Sequence, residues 1–438
     1  MRIGIVASLS GSGGGLYQHS INILHALDSW KREGCEDEFV LFFNGPLPPD
    51  VRLLMQQGWK VQPLPSSPRG YLVNLLKRVL GEGALLKALR RLRRKVRGFP
   101  DPEKVHFNSH LARRLRQYGI ELMFYTAPTA MSFEAGIPYV TFIMDLQHRL
   151  QPHFPEVSAY GEWERREYLF RNAIRYATLL FVDSEASKED ILLFYGSYGA
   201  SPDKIKVLPY LPACYLFNEV GEAEKRRVRE KYRLPERYLF YPAQFWPHKN
   251  HAVIIQALEK LKEVRGLEIP VVFCGSHTGE IRERHFRLIM NMARYCGVAD
   301  QVHYLGYVPD EDMSGLYANA VALVMPTFFG PANIPYLEAW AFGCPVLTSH
   351  IRGIREQVGD AGLLVNPLSV EALAENIYKL WTDESLRREL AERGARRLAQ
   401  YTPEDYRRRL IAIMEEAKER VRAGDCPVYA LTKKDEGL

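Results

Sequence analysis

The sequence lacks the features that mark several special classes of protein. Its six cysteines are scattered, without a Cys-x-x-Cys pair or a neighbouring histidine at the spacing of metal ligands, which argues against a disulfide scaffold or a zinc site. No run approaches the ~18 apolar residues of a membrane-spanning helix, and the amino terminus has no signal-peptide pattern. We therefore expect a cytoplasmic protein with reduced thiols, whose contact with a membrane would be peripheral.

Net charge is also small, but it is unevenly distributed. The 438 residues carry a formal charge of +6, and between Arg69 and Arg97 ten basic residues accompany a single acid. In residues 85–97, one helical stripe of apolar side chains is surrounded by cations that include Arg90, Arg91, Arg93 and Arg94. The tract is either a solvated helix docked by its stripe, or a surface for anionic lipid head groups, to which each cation contributes about 1 kcal/mol. Aromatic residues are sparse there, so nucleic-acid binding is not predicted.

The rest of the chain alternates short apolar runs with longer helical patterns. This alternation predicts an α/β protein with two doubly wound parallel sheets. The candidate strands of the first series are 2–8, 38–44, 60–64, 121–126, 139–145, 179–184 and 205–210, and those of the second are 238–245, 270–276, 302–308, 321–327, 345–350 and 362–366. We expect a first domain over residues 1–215 and a second over 216–401. Ligands of such sheets bind beyond the carboxyl ends of the strands, so the strand-to-helix loops are the places to look for a site.

The loop after the first strand is rich in glycine. Gly11 and Gly13 could begin a dinucleotide-binding G-x-G-x-x-G motif, but Leu16 stands at the third glycine position. The bare amides of Gly13, Gly14 and Gly15 could approach an anion or a sugar. A tight turn that needs positive φ explains the same residues equally well.

Two loops of the second series place polar side chains near helix starts. Lys249 precedes a helix whose expected cap is Asn250, so a cation and backbone amides could converge on one phosphate. Asn333 is the expected cap of a later helix, and Glu338 projects from its next turn, where a carboxylate could accept hydrogen bonds from a ribose. The structural alternatives are a solvated lysine and a glutamate favoured by the helix dipole.

Taken together, these loops resemble the retaining glycosyltransferases of family four, also called group 1. The strongest match is the segment 326–346, followed by 353–356 and 359–365, with weaker matches at 13–15, 145–148, 182–187 and 247–249. The resemblance implies the GT-B fold, in which two Rossmann-like domains face a cleft and the last helix crosses back to the first domain. Residues 402–438 would then return to the acceptor-binding domain, and residues 216–401 would bind the nucleotide-sugar donor.

The resemblance also implies roles for individual residues. Lys249 corresponds to the lysine on the donor diphosphate, and Glu338 to the glutamate that holds the donor ribose. Asp145 and His148 are candidate catalytic helpers beside Lys249. The remaining donor-binding candidates are Gly13, Gly14, Gly15, Gln244, Gly330, Ala332, Asn333 and Ile334.

Three positions depart from the family pattern. Gly330 replaces the first glutamate of a pair, Gln244 replaces an arginine that joins the lysine on the phosphates, and Met144 replaces a histidine. Loss of an arginine from a diphosphate site removes a charge-assisted contact unless another cation substitutes for it. Arg352 and Arg355 are the candidates for that substitution.

The implied reaction moves a hexose from a nucleotide-diphosphate sugar to an acceptor hydroxyl with retention at the anomeric carbon. Mannose from GDP-mannose is the preferred donor by similarity to bacterial surface-polysaccharide enzymes, with a UDP-sugar as the other choice, and the acceptor would be a glycan or a lipid-linked saccharide. No cofactor or metal is expected. Because of the three departures, a non-catalytic sugar-nucleotide-binding protein of a polysaccharide assembly complex stays the alternative.

Overall fold

The structure is a computed structural model that describes residues 1–9, 14–65, 101–212 and 220–432. Gly13, the predicted helix over residues 85–97 and its four candidate lipid contacts, Arg90, Arg91, Arg93 and Arg94, lie outside these ranges. Among the described helices, none combines the length and the apolar character needed to cross a membrane.

The first half of the chain forms a seven-stranded parallel sheet in the order β3-β2-β1-β4-β5-β6-β7. Its strands are β1 (Arg2–Val6), β2 (Glu38–Phe42), β3 (Lys60–Gln62), β4 (Leu122–Tyr125), β5 (Tyr139–Phe142), β6 (Leu179–Val182) and β7 (Ile205–Val207). The helices here are α1 (Gly15–Arg32), α2 (Pro49–Gln56), α3 (Ser109–Gln117), α4 (Met131–Glu134), α5 (Gln147–Leu150), α6 (Pro155–Ser158), α7 (Glu162–Tyr176) and α8 (Glu185–Tyr195).

The second half forms a six-stranded parallel sheet in the order β10-β9-β8-β11-β12-β13. Its strands are β8 (Leu239–Pro242), β9 (Val271–Cys274), β10 (Val302–Tyr304), β11 (Ala322–Met325), β12 (Val346–Ser349) and β13 (Leu363–Val365). The helices are α9 (Glu222–Tyr232), α10 (His251–Arg265), α11 (Glu280–Tyr295), α12 (Asp310–Asn319), α13 (Ile334–Ala341), α14 (Ile354–Val358), α15 (Val370–Thr382), α16 (Glu384–Leu398), α17 (Pro403–Arg422) and α18 (Tyr429–Thr432).

Each strand lies within a run that the sequence pattern predicts, so the two doubly wound sheets are confirmed. The central strands are buried on both faces, as in β4 and β11, where every residue is buried. Such strands read as continuous apolar runs because helices cover both sides of a parallel sheet. The predicted runs are longer than the strands, since apolar residues continue into the loops after the ladder ends.

The last long helix returns to the first sheet. The Thr402 hydroxyl accepts a hydrogen bond from the Asp405 amide at 3.1 Å, which caps α17. The apolar face of α17 packs against α1 in the core of the first sheet through Tyr406, Leu410, Ile413, Met414 and Ala417. A buried ion pair between Lys418 and Asp37, 2.6 Å long, fixes its far end. The crossing helix of the predicted GT-B fold is therefore confirmed, whereas the domain boundaries at 215 and 401 stay predictions.

Candidate functional site

The order of the second sheet explains where a site can form. Strands β8 and β11 are neighbours, while β9 and β12 lie on opposite sides of them. The loops that leave β8 and β11 therefore diverge, and the crevice between them is the ligand position typical of open parallel sheets. These two loops carry Gln244 and Lys249, and Gly330 and Asn333, respectively.

Two cavities adjoin along this crevice. The first, which we call the lysine cavity, has a volume of about 320 Å³ and is lined by Met144, Asp145, Gln147, Glu156, Arg166, Tyr210, Trp246, His248, Lys249, Phe329, Gly330, Pro331, Ala332 and Asn333. The second, which we call the glutamate cavity, has a volume of about 600 Å³ and is lined by Gly14, Gly15, Gln18, Pro242, Ala243, Gln244, Cys274, Gly275, Ser276, Arg282, Tyr307, Val308, Asp310, Met313, Ile334, Pro335 and Glu338. Consecutive residues, Asn333 and Ile334, line different cavities, so the start of α13 separates them.

Lys249 lies in the lysine cavity together with Asp145. Burial lowers the pKa of Lys249 to about 8, against the opposing attraction of Asp145 and Glu156. The sequence predicts that the Asn250 side chain caps α10, but Asn250 adopts a left-handed φ of 56° and makes no such cap. Its side-chain nitrogen Nδ2 instead donates to the carbonyls of Pro326 and Pro367 at 2.9 Å, which ties the loop after β8 to the loops after β11 and β13.

Glu338 lies in the glutamate cavity and is buried. Its Oε2 accepts a hydrogen bond of 2.6 Å from the Tyr317 hydroxyl, which comes from α12. The tyrosine thus fixes the orientation of a carboxylate that the sequence places on the first turns of α13. A carboxylate held in this way can accept hydrogen bonds from ligand hydroxyls.

The loop before α13 differs in detail from its prediction. The backbone amide of Asn333 donates to Gln357 Oε1 at 2.8 Å, so this amide is engaged within the protein. Ala332 and Ile334 stay predicted donor-binding residues. The side chain of Asn333 does not cap α13 but donates to the Gly330 carbonyl at 3.0 Å. Gly330 has φ of 141°, a conformation that residues with side chains rarely adopt. A glutamate would therefore be strained at this position.

Glu156, His248 and Arg166 were missed by the sequence analysis. His248 Nδ1 lies 2.6 Å from Glu156 Oε1, and this contact joins the two halves of the chain. Burial lowers the pKa of His248 to about 4, although the hydrogen bond with Glu156 acts in the opposite sense. His248 is therefore neutral at pH 7, with Nδ1–H donating to the carboxylate. Arg166 from α7 donates to Asp145 at 3.2 Å, so this carboxylate is already paired with a cation.

His148 lies outside both cavities, which corrects its assignment as a catalytic helper. It is completely buried, and its Nε2 lies 2.9 Å from Glu167 Oε1 and 3.1 Å from the Tyr195 hydroxyl. The motif that contains His148 places Asp145 at the lysine cavity, but the short helix α5 turns the histidine into the core of the first unit, which is the part of the chain built on the first sheet. Its role in the structure is to hold a buried carboxylate.

The buried carboxylate of Glu167 leads to a prediction about stability. Burial alone would raise its pKa, but hydrogen bonds from His148, Arg149 and Tyr195 lower it to about 2. Because the folded pKa is below the unfolded one, the cluster stabilises the protein above about pH 4.5, and this contribution is lost as the pH falls towards 2. We expect Glu167→Gln to lower the free energy of unfolding by about 3 kcal/mol at pH 7.

Urea denaturation from pH 7 down to the lowest pH at which the wild type stays folded would measure this effect. The difference between wild type and variant should narrow below pH 4.5. A constant difference over that range would contradict the assignment of the lowered pKa to this cluster.

The expectation that Arg352 or Arg355 replaces the missing phosphate-binding arginine is also wrong. Arg352 forms ion pairs with Glu189, at 2.5 Å, and with Asp190, both on α8, and Arg355 is exposed. Neither arginine is among the residues that line the lysine cavity or the glutamate cavity. The contacts of Arg352 instead join the two halves of the chain, as does the hydrogen bond of 2.8 Å from Gln151 Nε2 to the Phe328 carbonyl.

Histidine, cysteine and carboxylate side chains do not assemble into a metal site within the described ranges. Of the glycine turn, Gly14 and Gly15 line the glutamate cavity. The structure therefore brings the predicted residues Gly14, Gly15, Gln244, Ile334 and Glu338 to one cavity, and Asp145, Lys249, Gly330, Ala332 and Asn333 to the other.

The fold is that of the GT-B glycosyltransferases. The crystal structure of Alr3699/HepE from Anabaena in complex with UDP-glucose superposes with a TM-score of 0.66 at 18% identity, covering 95% of this chain and 99% of that one. At this identity the likeness concerns the fold alone.

Comparison of the sequence with known proteins indicates the class of enzyme more closely than the fold does. Residues 223–397 match the family model described as glycosyl transferases group 1. The chain is 29% identical over 272 residues to O-antigen chain mannosyltransferase B of Escherichia coli, covering 59% of this chain and 69% of that protein. It is 24% identical over 258 residues to the serotype-specific mannosyltransferase WbdA of the same species, spanning 31% of that relative's length. The predicted resemblance to group 1 glycosyltransferases is confirmed, and with it the enzyme class.

Proposed function

We propose that the protein is a retaining hexosyltransferase that moves mannose from GDP-mannose to a glycan or lipid-linked saccharide during polysaccharide synthesis. The observation that carries the proposal is the meeting of Lys249, the start of α13 and Glu338 around two adjoining cavities. The choice of mannose is supported by the two relatives named above, which are mannosyltransferases.

The two cavities divide the donor between them. In the glutamate cavity, Glu338 would accept hydrogen bonds from the ribose while Gly14 and Gly15 allow the diphosphate to come close to the backbone. In the lysine cavity, Lys249 would neutralise the charge that develops on the leaving diphosphate, and the loop at 330–333 would contact the hexose. The leaving phosphate itself would take the acceptor proton on the same face of the sugar. A protein base is then not required, and Asp145 would only assist the reaction.

The acceptor would enter from the first unit, which contributes Asp145, Glu156 and Arg166 to the lysine cavity. Hydrogen bonds and ion pairs, such as that of Glu156 with His248, bridge the cleft between the two halves of the chain. Closure excludes water, which would otherwise compete as the acceptor. A lipid-linked acceptor agrees with the basic tract over residues 85–97, which we expect to lie at the inner face of the cell membrane.

A donor panel tests this function. Purified protein would be incubated with GDP-mannose, UDP-glucose or ADP-glucose and with mannose-containing oligosaccharide acceptors, and the product would be detected by mass spectrometry. We expect transfer from GDP-mannose, and an NMR spectrum of the product showing the α-anomeric configuration of the donor. Binding of a donor without transfer to any acceptor would favour the non-catalytic alternative, and an inverted product would exclude the retaining mechanism.

The pKa of Lys249 gives a prediction for the pH dependence of donor binding. Burial lowers this pKa to about 8, so the charged form is present below pH 8 and is lost as the pH rises through that value. We expect the affinity of the enzyme for GDP to fall as the pH rises from 7 to 9.5. Isothermal titration calorimetry would measure it, with Lys249→Arg as the comparison, because arginine stays charged over this range. Equal pH profiles for wild type and variant would exclude Lys249 as the titrating group.

A further inference from the structure

The glutamate cavity is lined by a cation without a carboxylate partner. Arg282 lies on α11, and its guanidinium forms no ion pair with any residue that the structure describes. Its Nε is buried and has no hydrogen-bond partner. Two other arginines discussed above are already paired with carboxylates, Arg166 with Asp145 and Arg352 with Asp190. Arg282 therefore retains hydrogen-bonding capacity for an anion.

The side chain of Arg282 is held in place by two residues of the loop after β8. Its Nη1 donates to Gln244 Oε1 at 2.7 Å, and its Cζ lies 4.6 Å from the centre of the Trp246 ring. The indole nitrogen of Trp246 donates to the same Gln244 oxygen at 3.0 Å. The amide oxygen thus fixes the guanidinium, and the ring supports one of its faces.

The charge of Arg282 is partly desolvated. Burial lowers the pKa of Arg282, with only a partial opposing effect from Glu283. A guanidinium stays protonated at pH 7 even so, because its ordinary pKa is above about 12. A bound anion would compensate for the lost hydration through charge-assisted hydrogen bonds, and a phosphate can accept two of them from one guanidinium.

We propose that Arg282 binds the diphosphate of the donor nucleotide and that Gln244 is its positioning residue. The proposal rests on the proposed function, since it takes a nucleoside diphosphate as the ligand of the glutamate cavity. The proposal also explains why position 244 can be a glutamine where the family pattern has an arginine. The cation is supplied by Arg282 from α11, and Gln244 orients it. Lys249, in the adjoining cavity, would then act on the same diphosphate from the other side of the α13 start.

Calorimetry with GDP and UDP, and NMR titration with guanosine and uridine, would test the proposal in the full-length protein. We expect Arg282→Gln to weaken binding of the preferred diphosphate about 10- to 100-fold and to leave the affinity for the matching nucleoside unchanged. Unchanged diphosphate affinity would overturn the proposal. An equal loss for diphosphate and nucleoside would also overturn it, because it would place Arg282 on the base or in the fold.

A charge swap tests the role of Gln244. Arg282→Gln combined with Gln244→Arg places the cation on the loop after β8, and we expect it to recover most of the lost diphosphate affinity. Gln244→Ala alone should weaken diphosphate binding, but it should have no further effect when Arg282 is already replaced. A swap that binds no better than Arg282→Gln, or additive effects of the two single changes, would exclude the positioning role.

Two controls separate this proposal from the proposed function. Arg287 is an exposed arginine on the same helix, so Arg287→Ala should bind GDP and UDP as the wild type does. If the wild type binds neither diphosphate, the proposed function itself fails. If it binds one of them and Arg282→Gln binds equally well, only the assignment of Arg282 fails.

Discussion

Replacing Lys249 by alanine is expected to lower the turnover of sugar transfer by about 100- to 1000-fold. Removal of one preorganised group that stabilises developing charge has an effect of this size in other enzymes. In this protein the leaving diphosphate would lose the charge of Lys249, and Arg166, the other cation that lines the lysine cavity, is already paired with Asp145. Steady-state kinetics with the donor identified by the panel would give the change in kcat and in kcat/KM.

Two further variants make this test specific. Lys249→Arg should keep part of the activity, since the charge remains although its geometry changes. Lys379, an exposed lysine on α15, serves as the matched control, and Lys379→Ala should have wild-type kinetics. Turnover of Lys249→Ala within threefold of the wild type would show that the phosphate charge is stabilised elsewhere.

Gly353→Ala is expected to distort the loop over residues 330–333 and to reduce both stability and activity. A Cβ atom at this position would lie 2.5 Å from the Pro331 carbonyl oxygen and 2.7 Å from the Pro331 Cα. These are backbone atoms of the loop that lines the lysine cavity, so the loop must move. The φ of Gly353, 82°, adds strain for any residue with a side chain. We expect a loss of about 2 kcal/mol in the free energy of unfolding and a loss of more than tenfold in kcat/KM.

Gly266→Ala separates the strain from the clash. Gly266 has a similar φ of 64° at the end of α10, but a Cβ atom there would have no neighbouring heavy atom within 4 Å. This variant should lose about 1 kcal/mol of stability and keep its kinetics. Equal activity of the two glycine variants would show that the position of Pro331 does not affect the reaction.

The fold was predictable from the sequence because its determinants are local. Runs such as 321–327 are apolar except for the final Thr327, which is typical of strands covered by helices on both faces. Thr402 and Pro403 mark the start of α17. Lys249 and Glu338 were found for the same reason, since each occupies a fixed place relative to a strand end or a helix start. Parallel topology then brings such loops to one edge of the sheet.

The remaining site residues depend on contacts that no local pattern reports. Arg282 reaches Gln244 across 38 positions, and His248 reaches Glu156 across 92. The sequence position of Arg352 favours a contact with the phosphates, yet the side chain forms ion pairs with carboxylates on α8. His148 was predicted to be a catalytic helper because it lies in a matching motif. The four-residue helix that contains it turns its side chain into the core instead. Only the three-dimensional arrangement distinguishes these cases.

The return of α17 to the first sheet has a consequence for exchanging parts between relatives. The second sheet is an insertion within the first unit, because α17 packs against α1 through Tyr406, Leu410 and Met414. A chimera that replaces everything after β7 would therefore exchange part of the core of the first sheet together with the second sheet. To exchange the second sheet and its cavity loops alone, the exchanged segment must be internal and must end before Thr402, so that α17 keeps its packing partner α1.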